Sequence, residues 1–114
     1  MERVQGDMVC RYHRLIGDNV FFLTGTDEHG IKMAQAALEQ NMTPQELADI
    51  NSTEFRRATE ALHISNDSFI RTTAPNHITG VQKLWRMLVK ADALYKGFYD
   101  GLYCIGCEAY VTEN

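Results

Sequence analysis

Two short stretches of the chain carry side chains able to do chemistry. In FFLTGTDEHG, Phe21 to Gly30, three apolar residues run into a polar turn that sets Asp27, Glu28 and His29 side by side. A carboxylate there can take a ligand ammonium. The unpaired N–H groups of a helix starting just beyond can take an anion, so a small zwitterion would be gripped by both signs. The competing reading is local: Thr26 or Asp27 caps the next helix, Glu28 complements its dipole and His29 is a solvated surface residue. On spacing alone the capping reading is the commoner outcome, although Gly25 and Gly30 on either side invite close backbone approach. The loop matches neither a Gly-rich dinucleotide fingerprint nor a P-loop.

The second stretch is Cys104-Ile105-Gly106-Cys107. Its spacing suits half of a zinc site, in which a tight turn aims two thiolates at one metal. A structural zinc takes four ligands, and no Cys or His follows Cys107; His13, His29, His63 and His77 upstream show no second paired spacing. Two ordinary thiols rank next, and a redox pair third, because a thioredoxin-type motif opens a helix after a strand rather than following a hairpin. His63 and His77 read as surface or capping residues.

The elements that must position these groups follow from periodicity. Gly6 to Ile16 reads as a helix with Met8, Val9, Tyr12 and Leu15 on one face, stopped by Gly17-Asp18-Asn19. Val20 to Leu23 is a short apolar run, suited to a strand covered on both faces in a parallel sheet. Glu28 to Asn41 is helical in pattern, with Ile31, Ala34, Ala37 and Leu38 together. Thr43-Pro44-Gln45-Glu46 is a capping box, with Pro at the first helical position of a helix whose apolar side carries Leu47, Ile50, Phe55, Ala58 and Leu62. An extended segment is expected around Phe69 and Ile70, then a turn over Thr73 to Asn76. A long helix follows with Val81, Leu84, Trp85, Leu88 and Val89 at helical spacing, Trp85 being expected in the core. Asp100-Gly101 between aromatic stretches signals a hairpin. The Tyr95 to Tyr103 cluster then reads as packing rather than as a base-stacking platform, since Lys96 alone supplies positive charge there.

Composition bounds what such a chain can be. At 114 residues it is about one domain. Eleven Lys and Arg against fifteen Asp and Glu give a net charge of -4, the wrong sign for a strong nucleic-acid footprint. No apolar run approaches the ~18 residues of a membrane span, so no membrane partner is expected. Three cysteines make no disulfide framework, which fits a reducing, intracellular compartment.

RYHRLIG (Arg11 to Gly17), FFLTGTDEHG, SNDSFIRTT (Ser65 to Thr73) and LYKGFYDGLYCIGCEAYVTE (Leu94 to Glu113) resemble, in order and spacing, the class I methionyl-tRNA synthetases. The resemblance runs from about Asp7 onward. It implies an α/β fold: part of a helix-rich, Rossmann-like catalytic domain over residues 1–93, and over 94–114 the beginning of a connective insertion with the first half of a zinc knuckle. It also implies methionine and ATP with Mg2+ as substrates, methionyl-adenylate and pyrophosphate as products of activation, tRNA(Met) as acceptor, and a cytoplasmic or else mitochondrial or plastid location. By the same resemblance Asp27 holds the methionine α-ammonium, Gly25, Glu28 and His29 line the methionine and adenylate pocket, and Cys104 and Cys107 are the first two Zn2+ ligands.

The family's His-Ile-Gly-His motif belongs a few residues upstream of the first helix, where this sequence reads Met1-Glu2-Arg3-Val4-Gln5. Its Lys-Met-Ser-Lys-Ser loop belongs beyond Asn114. The expectation is therefore a piece of such an enzyme, with no catalytic residue of its own, inert alone, and marginally stable because the Val20 to Leu23 strand lacks both sheet neighbours. The alternative is a non-catalytic module that binds a metal or a partner.

Overall fold

The structure is a computed structural model that describes residues 1–111; Thr112, Glu113 and Asn114, the end of the expected 94–114 segment, lie outside the described residues. The chain divides into two compact units, Met1–Thr79 and Gly80–Asn114.

In the first unit α1 spans Glu2–Leu15, four residues earlier than the Gly6 start expected from the sequence. Glu2 in the first turn complements the helix dipole. Gly6 lies inside the helix, where a β-carbon would come within 3.3 Å of the Phe22 ring. The strand β1 is Leu23–Thr26, not Val20 to Leu23. It is parallel to β2, Ser68–Arg71, with Leu23 opposite Ser68 and Thr26 opposite Arg71. A strand's position is fixed by what it pairs with, and here the partner meets the polar half of the stretch. Leu23 is half exposed and Phe21 is more so, so the apolar run is not covered on both faces. Nor does β1 lack both neighbours, since β2 occupies one edge.

The crossover between the strands holds α2, Ile31–Glu39, and α3, Pro44–Ala61, packed on each other, with α3 also against β1. The capping box is formed: Thr43 Oγ1 accepts from the Glu46 N–H at 3.2 Å, and the Thr43 N–H donates to Glu46 Oε2 at 2.8 Å. Leu47, Ala48, Ser52 and Thr59 are the buried residues of α3. Ile50, Phe55 and Leu62 are about half exposed, so the buried stripe is rotated from the expected one toward small residues. Ala37, Leu47 and Ala48 are the buried apolar residues among those described.

Polar pins hold α1 in place. Asp7, buried, accepts from the Ser65 N–H at 2.7 Å, from Ser65 Oγ at 2.5 Å and from Arg11 Nε at 2.7 Å. Arg14 donates to the Ser65 carbonyl at 3.0 Å and to Asp67 at 2.7 Å, and Arg3 donates to the Gly25 carbonyl at 2.9 Å.

α4, Pro75–Lys90, opens with Pro75 where a turn was expected; Pro is tolerated in the first turn because its missing N–H has no partner there. All four helices end alike among the described residues. After α1, α2, α3 and α4, the N–H groups of Asp18, Met42, Ile64 and Ala93 reach back to the carbonyls of His13, Ala37, Thr59 and Leu88. The turning residue has positive φ: Gly17 after α1, then Asn41, His63 and Asp92.

Within the second unit the α4 residues Val81, Leu84, Trp85 and Val89 are exposed, so Trp85 is not a core residue. β3, Leu102–Cys104, pairs antiparallel with β4, Ala109–Val111. The hairpin turn is therefore Ile105 to Glu108 and not Asp100-Gly101. Tyr110 packs edge-on against Tyr99 and Tyr103, with ring centroids 4.7 and 5.2 Å apart, whereas Tyr95 and Phe98 are exposed.

Candidate functional site

A parallel pair puts the carboxyl ends of both strands together, and in open α/β sheets ligands bind there. Beyond β1 come Asp27, Glu28 and His29; beyond β2 come Thr72 and Thr73. Neither Thr26 nor Asp27 caps α2, whose N-cap is Gly30 at φ 119° with no side-chain cap. The local capping alternative thus fails, because the turn has three more residues to run before the helix begins.

Glu28 is buried, and its carboxylate is held by protein donors. Oε1 accepts from Arg71 Nε and from Thr26 Oγ1, each at 2.7 Å, while Oε2 accepts from Thr73 Oγ1. Its N–H donates to Thr72 Oγ1 at 2.9 Å. Burial by itself would raise the Glu28 pKa; the hydrogen bonds from Arg71, Thr73 and Thr26 and the Arg71 charge outweigh it and hold the carboxyl below its ordinary value. Arg71 also donates to Asp49 of α3 at 2.6 Å, and these two hydrogen-bonded carboxylates raise the guanidinium pKa against the opposing effect of burial.

Asp27 stands between two tied residues with its side chain exposed; Oδ1 lies 3.4 Å from the His29 N–H. His29 is also exposed and lines a cavity of 310 Å³ with Glu28, Thr43, Pro44, Gln45 and Thr73. Gly25 answers a different need from the one its position suggests. A β-carbon there would stand 2.1 Å from the Ile70 carbonyl oxygen, so the close approach is that of β2.

Arg71, Thr72, Thr73 and Asp49 complete this cluster and were not singled out by sequence reasoning. The signal was present, since Ser68 to Thr73 ends in Arg-Thr-Thr much as the first strand runs on into Asp-Glu after Thr26. Reading it requires knowing that the two extended segments run parallel.

Cys104 closes β3 and Cys107 lies in the turn, whose N–H donates to Cys104 Sγ at 3.4 Å. The two thiols therefore flank one tight turn, the spacing of half a zinc knuckle. They supply half of a four-ligand set, and no group of three or more His, Cys, Asp or Glu suited to a metal occurs among the described residues.

A parallel strand pair joined by a helical crossover, with charged groups gathered beyond its carboxyl end, is the arrangement of part of a Rossmann-type domain. A family model described as "tRNA synthetases class I (M)" matches residues 1–114, and the chain belongs to that family. The methionine–tRNA ligase of Brucella suis biovar 1 (strain 1330) is 47% identical over 113 residues, covering 99% of this chain and 22% of the relative. That of Rickettsia bellii (strain RML369-C) is 45% identical over 111 residues, covering 97% and 22%. The structure of Mycobacterium tuberculosis methionyl-tRNA synthetase in complex with methionyl-adenylate superposes with a TM-score of 0.89 at 43% identity, over 98% of this chain and 22% of that one. The fold is thus that of a class I synthetase catalytic domain, and the chain spans about a fifth of the length of these relatives. No helix among the described residues is long and apolar enough to cross a membrane.

Proposed function

We propose that this chain forms the amino-acid side of a methionine–tRNA ligase active site. In that reading the complete protein joins methionine to ATP, giving methionyl-adenylate and pyrophosphate, and passes the methionyl group to tRNA(Met) in the cytoplasm. Residues 1–93 belong to the catalytic domain and 94–114 begin the connective insertion.

The observation that carries the reading is the exposed Asp27 carboxylate at the carboxyl end of β1, flanked on both sides by residues tied to the second strand's loop. A fixed carboxylate holds an α-ammonium by a charge-assisted hydrogen bond. It thereby orients the amino acid so that its own carboxylate oxygen can attack the α-phosphorus of ATP in line as pyrophosphate leaves. Positioning is what this wall contributes, since phosphoryl-type transfers are accelerated mainly by orientation and by cations stabilising the phosphates. His29 and Gly25 lie on the same loop and strand, beside the amino acid and the adenylate. Mg2+ would accompany ATP as part of the substrate. Cys104 and Cys107 would hold Zn2+ together with two further ligands from outside the described residues, and that ion would stabilise the insertion rather than take part in the chemistry.

The test is methionine-dependent exchange of labelled pyrophosphate into ATP, run on this chain and on a version extended in both directions along its coding sequence to the length of its relatives. Exchange in the extended protein supports the reading. Its absence there, with the protein folded, moves the assignment to a binding module.

A further inference from the structure

We propose that Arg71 and Glu28 are positioning residues for Asp27: their part-buried ion pair sets the geometry in which the Asp27 carboxylate meets the amino acid's α-ammonium, and so sets the preference for an amino acid over a carboxylic acid of the same shape. The inference rests on the assignment of the Asp27 loop to the amino acid.

The short ties that fix this loop lie on either side of Asp27, whose own Oδ1 accepts a longer bond of 3.4 Å from the His29 N–H. The Thr26 carbonyl accepts from the Thr72 N–H at 3.2 Å, and the Glu28 N–H donates to Thr72 Oγ1 at 2.9 Å. Thr26 Oγ1 donates to Glu28 Oε1 at 2.7 Å, closing a short ring around Asp27. Arg71 Nε holds that same Glu28 oxygen at 2.7 Å, and Thr73 Oγ1 holds the other. The backbone on both sides of Asp27 is thereby anchored to β2 and its loop, and the Asp27 side chain projects from a peptide with little freedom to turn.

Charge points the same way. Arg71 faces two carboxylates, Glu28 through Nε and Asp49 of α3 through Nη2. Its cation is engaged within the protein, so it orders the loop while the Asp27 carboxylate remains to attract a ligand cation. A guanidinium serves both partners at fixed angles, which the point charge of a lysine cannot do. Glu28, expected from the family resemblance among the pocket-lining residues, then acts through Asp27 and not by contact.

Calorimetric titration of the full-length protein with L-methionine and with 4-(methylthio)butanoate, which differs in lacking the α-amino group, tests this. Wild type is expected to prefer methionine. Glu28→Gln and Arg71→Lys should each shrink that preference by roughly tenfold or more, on the scale of a misplaced positioning group, with the affinity for the analogue unmoved. An unchanged preference, or equal weakening of both ligands, overturns the proposal. If one variant fails to fold, the other decides. Failure of both to fold by circular dichroism overturns it as well, since the pair would then be holding the sheet and not aiming one carboxylate. Absence of any preference for methionine in the wild-type protein is a separate outcome, which removes the functional assignment beneath the proposal whatever the variants do.

Discussion

Protonating or removing the Asp7 carboxylate should release α1 from the loop that leads into β2. Asp7 is buried and accepts three hydrogen bonds, two from Ser65 and one from Arg11. Burial alone would raise its pKa, but the Ser65 bonds and the Arg11 bond and charge outweigh that and bring it from 3.8 to about 2. Because the folded value is the depressed one, the stabilisation is complete above the unfolded pKa and is lost as pH falls through the folded one. At ~1.4 kcal/mol per pH unit the difference amounts to about 2 kcal/mol at neutral pH. By the same linkage roughly half remains at about pH 3, and little at about pH 2. Urea unfolding of wild type and Asp7→Asn, followed by circular dichroism across this range, measures it. The gap between the two proteins should be about 2 kcal/mol at neutral pH and should close on acidification. Comparing the two isolates Asp7 from Glu28, Glu46 and Asp49, whose carboxyls are also held below their ordinary values. A gap that stays constant with pH, or none at neutral pH, would refute the reasoning.

Other consequences follow from single residues. Gly25→Ala should part β1 from β2, because the added carbon meets the Ile70 carbonyl; amide hydrogen exchange at Thr72, which bonds to Thr26, should speed up sharply, and unchanged protection would count against that packing. Thr43→Ala removes one half of the capping box at the start of α3 and should cost about 1 kcal/mol in urea unfolding. With Ala37, Leu47 and Ala48 as the buried apolar residues among those described, the 114-residue chain alone should melt broadly and at low temperature, and a sharp transition well above room temperature would contradict this.

The parts of the fold legible in the sequence were those written in local chemistry. Thr43, Pro44 and Glu46 announce the start of α3 because the capping box is made within one turn. Gly17 likewise announces the end of α1. Asn41, His63 and Asp92 end the other helices with the same bonds, but as non-glycine residues at positive φ they carry a weaker signal. Long-range partners were illegible for a physical reason. The β1 register depends on Ser68 to Arg71, over forty residues away in sequence, and so the apolar run from Val20, taken by itself, reads as the strand. The same dependence hid Arg71, Thr72 and Thr73 as partners of the loop. The hairpin turn moved to Ile105 to Glu108 because Tyr110 packs on both Tyr99 and Tyr103, a pairing that the Asp100-Gly101 dipeptide does not reveal. Asp27 and the cysteine pair stand out in the sequence as candidates, since a charged residue after an apolar run and a two-residue thiol spacing are local facts.

The role of Asp27 is the claim on which the functional account stands, and the Asp27→Ala form of the full-length protein tests it most directly in methionine-dependent pyrophosphate exchange. Loss of a charge-assisted contact to the α-ammonium should raise the KM for methionine by ~30-fold, the scale of one hydrogen bond between charged groups, with the KM for ATP little changed. An unchanged KM for methionine, or a loss that falls equally on ATP, would contradict the account.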